Sequence, residues 1–154
     1  MVSQKNLPKA LWVSIVSPCP CCLVDLTSSS KQKRTLLKGT IPTELGLLSD
    51  MELFLVSDME LTGSIEGIFS NWPKVKEIEV NHNLFTGKIP GTLAQENPLL
   101  SVLRLDNNDF TGPIPASLGS LTGLHYLGLG ANSLQNVIPG ELGSLGNLSK
   151  CVDL

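Results

Sequence analysis

The sequence predicts an α/β solenoid, a stack of coils in which each coil repeats the one before and adds one strand to a parallel sheet. Two observations carry that prediction. Five isoleucines, Ile41, Ile65, Ile89, Ile114 and Ile138, recur at spacings of 24, 24, 25 and 24 residues, each within Gly-x-Ile-Pro or a weakened copy of it. When the chain is aligned on these isoleucines, apolar and asparagine columns fill in on both sides. A near-constant period of this length marks a repeat architecture, and missing it would misassign the whole chain.

Each column has a physical reading. Met51, Val75, Leu100, Leu124 and Leu148 open the repeats, followed by Phe54, Ile78, Leu103, Leu127 and Cys151, then by Val56, Val80, Leu105 and Leu129. The last two columns stand two residues apart with mostly polar residues around them, which is the period of a half-buried strand. Strands so far apart in sequence pair in parallel through a crossover rather than as hairpins. Asn83, Asn108 and Asn132 form the next column. An amide carries both donors and an acceptor, so a ladder of asparagines is expected to satisfy backbone groups of its own and the next coil. Leu61, Phe85, Phe110 and Leu134 follow, and Phe69, Leu93, Leu118 and Leu142 lie behind the isoleucines. Glycine before x-Ile-Pro permits backbone that a Cβ would resist, and proline fixes φ where no ladder N–H is needed.

The first strand-bearing repeat departs from the pattern. It has Met59 in the asparagine column, Glu66 in place of proline, and Trp72-Pro73 on its helical side. A slip of one residue would bring Asp58 into the ladder, but it breaks the spacing to Leu61, Gly63 and Ile65, so Met59 is kept. Strand-bearing repeats are expected at about 51–74, 75–99, 100–123 and 124–147, with half-repeats at 37–50 and 148–154.

The best copy, residues 100–121, reads LSVLRLDNNDFTGPIPASLGSL. It resembles the plant-type leucine-rich repeat, LxxLxLxxNxLTGxIPxxLGxL, and the resemblance extends over about residues 37–154. That resemblance implies a right-handed superhelix with a parallel β-sheet on its concave face and short helical or 3-10 segments on its convex side. It also implies a non-catalytic module that binds a protein or peptide, as in the repeat domains of receptor-like kinases and receptor-like proteins. An extracellular or cell-surface setting follows from the resemblance alone, and no cofactor is implied.

Composition narrows the function classes. The chain has 154 residues, of which 28 are leucine, with 16% charged residues and a net charge of −3. This excludes a disordered polyelectrolyte and gives no reason to expect a nucleic-acid partner. No apolar run is long enough to span a membrane as a helix. Residues 1–35 hold five basic residues against one acid, whereas the remainder holds six against thirteen. A boundary is therefore placed at residue 36. The leader reads as a signal-like segment (Lys5 and Lys9, then apolar 10–16) or as a flexible tail. Its Cys19, Cys21 and Cys22 do not match a closed zinc site; they read as unpaired thiols of a flexible leader, with S-acylation beside the short apolar stretch as the alternative. Cys151 falls in a leucine column and is expected to act as a small hydrophobe.

No nucleophile elbow, zincin helix, P-loop or kinase signature occurs. Recognition is therefore expected from the outward positions of the concave strands. These are Leu55, Glu79 and Arg104 in one column with Gly128; Ser57, Asn81 and Asp106 in a second with Gly130; and Asp58, His82 and Asn107 in a third with Ala131. Lys76, Glu77, His125 and Tyr126 adjoin them, with Tyr126 as the expected anchor, since aromatics are enriched at binding hot spots. Glu79 and Arg104 are expected to pair across coils. Asn147-Leu148-Ser149 is a glycosylation sequon. The alternative to recognition is an assembly module, a fragment of a longer solenoid that stacks on other chains. It predicts an unpaired strand edge near 124–129 or 148–154 and self-association through uncapped ends.

Overall fold

The computed structural model describes residues 37–152. Its strands, in chain order, are β1 (Lys38–Thr40), β2 (Leu53–Leu55), β3 (Glu60–Ser64), β4 (Glu77–Glu79), β5 (Leu84–Lys88), β6 (Val102–Arg104), β7 (Asp109–Pro113), β8 (Tyr126–Gly128), β9 (Ser133–Gln135) and β10 (Lys150–Val152). They form two parallel five-stranded sheets, β2-β4-β6-β8-β10 and β1-β3-β5-β7-β9. The leader, with its three cysteines, lies outside the described residues.

The first sheet follows the sequence columns. Phe54 pairs with Ile78, Ile78 with Leu103, Leu103 with Leu127, and Leu127 with Cys151. This register keeps Met59, not Asp58, in the asparagine file. Strand β8 is flanked by β6 and β10. The edge expected near 124–129 is therefore absent, and among the described residues the outer strands of this sheet are β2 and β10.

The second sheet is a correction to the expected convex side, for which only helical segments were foreseen. Its strands bury Leu61, Phe85 and Phe110 and turn threonines outward. Each then bends at a residue with positive φ: Gly39 (95°), Gly63 (90°), Gly87 (85°) and Gly112 (77°). Asparagine tolerates that region best among residues with a side chain, and Asn136 (φ 73°) replaces the glycine in the next coil. The helical side proper is brief. One α-helical turn spans Leu93–Glu96, and 3-10 turns span Thr43–Leu47, Ala116–Ser120 and Gly140–Ser144. Each 3-10 turn follows a proline (Pro42, Pro115 or Pro139) at φ near −60°, the value its ring enforces.

The core runs the length of the stack between the two sheets. Val56, Leu61, Ile65, Val75, Ile78, Val80, Leu100, Leu103, Leu105 and Leu124 are fully buried. Each such side chain contributes about 1.5–3 kcal/mol over its exposed state. The atypical repeat is accommodated by aromatic packing. Trp72 stands where other coils have Leu48, Leu121 and Leu145. Its ring packs 5.0 Å from Phe54 and 5.2 Å from Phe69. Its indole N–H donates to the Leu45 carbonyl at 3.0 Å, which satisfies the polar atom that burial would otherwise strand.

Candidate functional site

The scaffold of the site is the asparagine file. Asn83 Nδ2 donates to the carbonyls of Val56 (2.8 Å), Val80 (3.0 Å) and Asn81 (3.2 Å), and its Oδ1 accepts from Leu61 N–H at 3.1 Å. Asn108 repeats this with Val80, Leu105, Asp106 and Phe85 N–H. Asn132 does so with Leu105, Leu129, Gly130 and Phe110 N–H. The clasp reaches back to the preceding coil, not forward to the next as expected. The bend of the preceding coil leaves one carbonyl and one amide facing the asparagine. Met59 offers no such group. Asn97 makes a second back-reaching contact, with Nδ2 donating to Phe69 O (2.9 Å) and Trp72 O (3.2 Å), while its buried Oδ1 has no partner. It was not legible in the sequence, because the equivalent position in the other coils is apolar: Leu48, Trp72, Leu121 and Leu145.

Because Phe54, Ile78, Leu103 and Leu127 point into the core, their neighbours on each strand point out. One outward row is Leu53, Glu77, Val102 and Tyr126; the next is Leu55, Glu79, Arg104 and Gly128. Leu53 and Val102 were not singled out from the sequence, although they share a column with Glu77 and Tyr126. Leu53 is 46% exposed, and Glu77, Val102 and Tyr126 are half-buried. Beside these rows Lys76 pairs with Glu52 at 3.2 Å, and exposed His125 donates its backbone N–H to Ser101 O.

Arg104 sits at the centre of the face and is held on three sides. Its Nη1 is 4.0 Å from the Glu79 carboxylate, the limit of an ion pair, and its Nε is 3.6 Å from Asp106 Oδ1. Its guanidinium carbon lies 5.2 Å from the Tyr126 ring centre, within cation–π range. Gly128 makes this possible, since a Cβ there would fall 2.4 Å from Asp106 Oδ1.

Two expected surface residues are not surface residues. Asn81 is 3% and Asp106 8% exposed, because the chain turns inward directly after the strand and carries this column under the rim. Asn81 Oδ1 accepts from the half-buried Ser57 hydroxyl at 2.7 Å, so the pair ties coils together. The third column does reach solvent, but it has a backbone task. Asp58, His82, Asn107 and Ala131 all adopt left-handed φ, at 57°, 54°, 55° and 52°. Aspartate, histidine and asparagine are the residues that enter this region most readily. Their identity is thus accounted for by the turn that ends each strand, before any partner is considered.

Among the described residues no three His, Cys, Asp or Glu side chains are grouped to hold a metal ion. No helix among them is long and apolar enough to cross a membrane.

Comparison with known proteins places this geometry. The Leucine Rich Repeat family model matches residues 99–121. Receptor-like protein 39 of Arabidopsis thaliana is 37% identical over 113 residues, which cover 71% of this chain and 13% of that protein. The LRR ectodomain of the plant membrane receptor kinase GASSHO1/SCHENGEN3 from Arabidopsis thaliana, solved in complex with CASPARIAN STRIP INTEGRITY FACTOR 2, superposes with a TM-score of 0.73. It is 34% identical, over 77% of this chain and 14% of that one. The plant peptide hormone receptor RGFR1, solved in complex with RGF2, gives a TM-score of 0.71 at 34% identity, over 73% of this chain and 18% of that one. The chain thus spans a small part of the length of each of these proteins.

Proposed function

From the premise that this chain is a leucine-rich-repeat protein of the plant type, we propose that it is a non-catalytic recognition module whose concave sheet binds a protein or peptide. The observation that carries this reading is the outward row Leu53, Glu77, Val102 and Tyr126, which sets apolar, charged and aromatic groups in register on a rigid backbone. Adjacent strands are about 4.8 Å apart, so the four residues extend over roughly 15 Å, the scale of a short extended peptide. Two of the similar receptors were solved in complex with named partners, CASPARIAN STRIP INTEGRITY FACTOR 2 and RGF2, which supports a binding role here.

The test is selection of peptides from a displayed random library on the immobilised chain, followed by titration against Tyr126→Ala. The expected result is enrichment of related peptides whose affinity falls by about 1–2 kcal/mol in the variant, as for a hot-spot aromatic, with the variant still folded. No enrichment, or equal affinity for both chains, would remove the reading.

A second reading, assembly with other chains, rests on one observation. Val137 and Ile138 are 85% and 56% exposed, beside a recess of about 180 Å³ lined by Ile114, Leu129 and Leu134. Sedimentation velocity separates the readings: assembly requires a sedimentation coefficient that rises with concentration.

A further inference from the structure

The charges on the proposed recognition face do not balance, and their arrangement points to the chemistry of the ligand. On and beside β2 to β8, the carboxylates Glu52, Glu77, Glu79 and Asp106 meet the cations Lys76 and Arg104. Lys76 is taken by Glu52. Arg104 is shared between Glu79 and Asp106 and covered on one side by Tyr126. Glu77 is left, among the described residues, with neither a cation nor a hydrogen-bond donor.

Its surroundings are selective. Glu77 is half-buried between Leu53 and Val102, one strand to either side, and Tyr126 stands one strand further along the same row. A carboxylate with apolar neighbours is poorly solvated on two sides. An incoming cation there therefore meets less screening than at a fully exposed acid. The flanking leucine and valine would cover the methylene stem of a lysine or arginine while its head reaches the carboxylate. An acidic ligand would meet Glu77 and Glu79 together, and like charges across an interface suppress binding.

We infer that the concave face selects a basic peptide segment, with a lysine or arginine of the ligand seated on Glu77 between Leu53 and Val102. This rests on the recognition reading above. The experiment uses the same displayed random library, followed by lysine-bearing, neutral and glutamate-bearing versions of one enriched peptide, titrated at low and high salt. The expected result is enrichment of lysine and arginine, with affinity that falls as salt rises. Glu77→Gln should weaken the lysine-bearing peptide about two- to fivefold, the range of a partly exposed ion pair. Glu44→Gln, on the convex turn Thr43–Leu47, should change nothing. Enrichment of neutral or acidic peptides, or equal affinity for Glu77→Gln, would overturn this inference and leave the recognition reading standing. Failure to enrich any peptide would overturn both.

Discussion

Replacing Asn108 by alanine removes four hydrogen bonds, but it strands only one group. The three carbonyls that Asn108 Nδ2 serves each keep another donor. Val80 O keeps Asn83 Nδ2, Leu105 O keeps Asn132 Nδ2, and Asp106 O keeps His82 N–H. The amide of Phe85 has no such reserve, because its acceptor is Asn108 Oδ1. One buried N–H without an acceptor costs about 1–3 kcal/mol. Asn108→Asp is the sharper probe. It restores an acceptor for Phe85 but turns an anionic oxygen toward three carbonyls, and an uncompensated buried charge costs about 3–5 kcal/mol. The aspartate variant should therefore be the less stable of the two at neutral pH. Burial raises the pKa of that carboxyl in the folded chain, so the gap to the alanine variant should narrow as pH falls and the charge is removed. Equilibrium denaturation in urea reads both effects. An unchanged midpoint for the alanine variant, or an aspartate variant as stable as alanine, would refute the account of the ladder.

Gly119→Ala should destabilise by about 1–3 kcal/mol, the range for overpacking, since a Cβ there would lie 2.2 Å from the backbone oxygen of Glu141. Gly143→Ala, with nothing within 4 Å, is its control, and thermal melts that treat the two alike would contradict the packing of the helical turns. Ala131→Gly should stabilise by about 0.5–1 kcal/mol. It relieves a left-handed alanine that costs about 1–2 kcal/mol and gives back part of that as chain entropy; a lower melting temperature would show that Ala131 is not strained.

Much of the architecture was legible because it is periodic. The isoleucine spacing and the Phe54, Ile78, Leu103, Leu127 column set the register of the first sheet, and even the atypical Met59 followed from counting. The second sheet was hidden for a physical reason. Its strands alternate Leu61, Phe85 or Phe110 with threonine and a glycine, so glycine and proline read as connectors where the chain is in fact paired in a sheet. The candidate face was legible in outline only. Columns show which residues share a position, not how deep that position lies, and Asn81 and Asp106 sank below the rim. The contact of Arg104 with Tyr126 is diagonal across two strands, an offset that no single column displays.

The backward reach of the asparagines gives the stack a polarity. Each coil is latched by its successor, so the strength of a seam is written in the coil that follows it. Asn83, Asn108 and Asn132 latch three successive seams. The seam between residues 37–50 and the coil after it meets Met59 instead and is held by other means: β1 pairs with β3, Glu60 N–H donates to Leu37 O (2.9 Å), Lys38 pairs with Glu60 (2.7 Å), and the Trp72 indole donates to Leu45 O. The β1 coil is thus fastened by a different device from the rest, an indole and an ion pair in place of an amide.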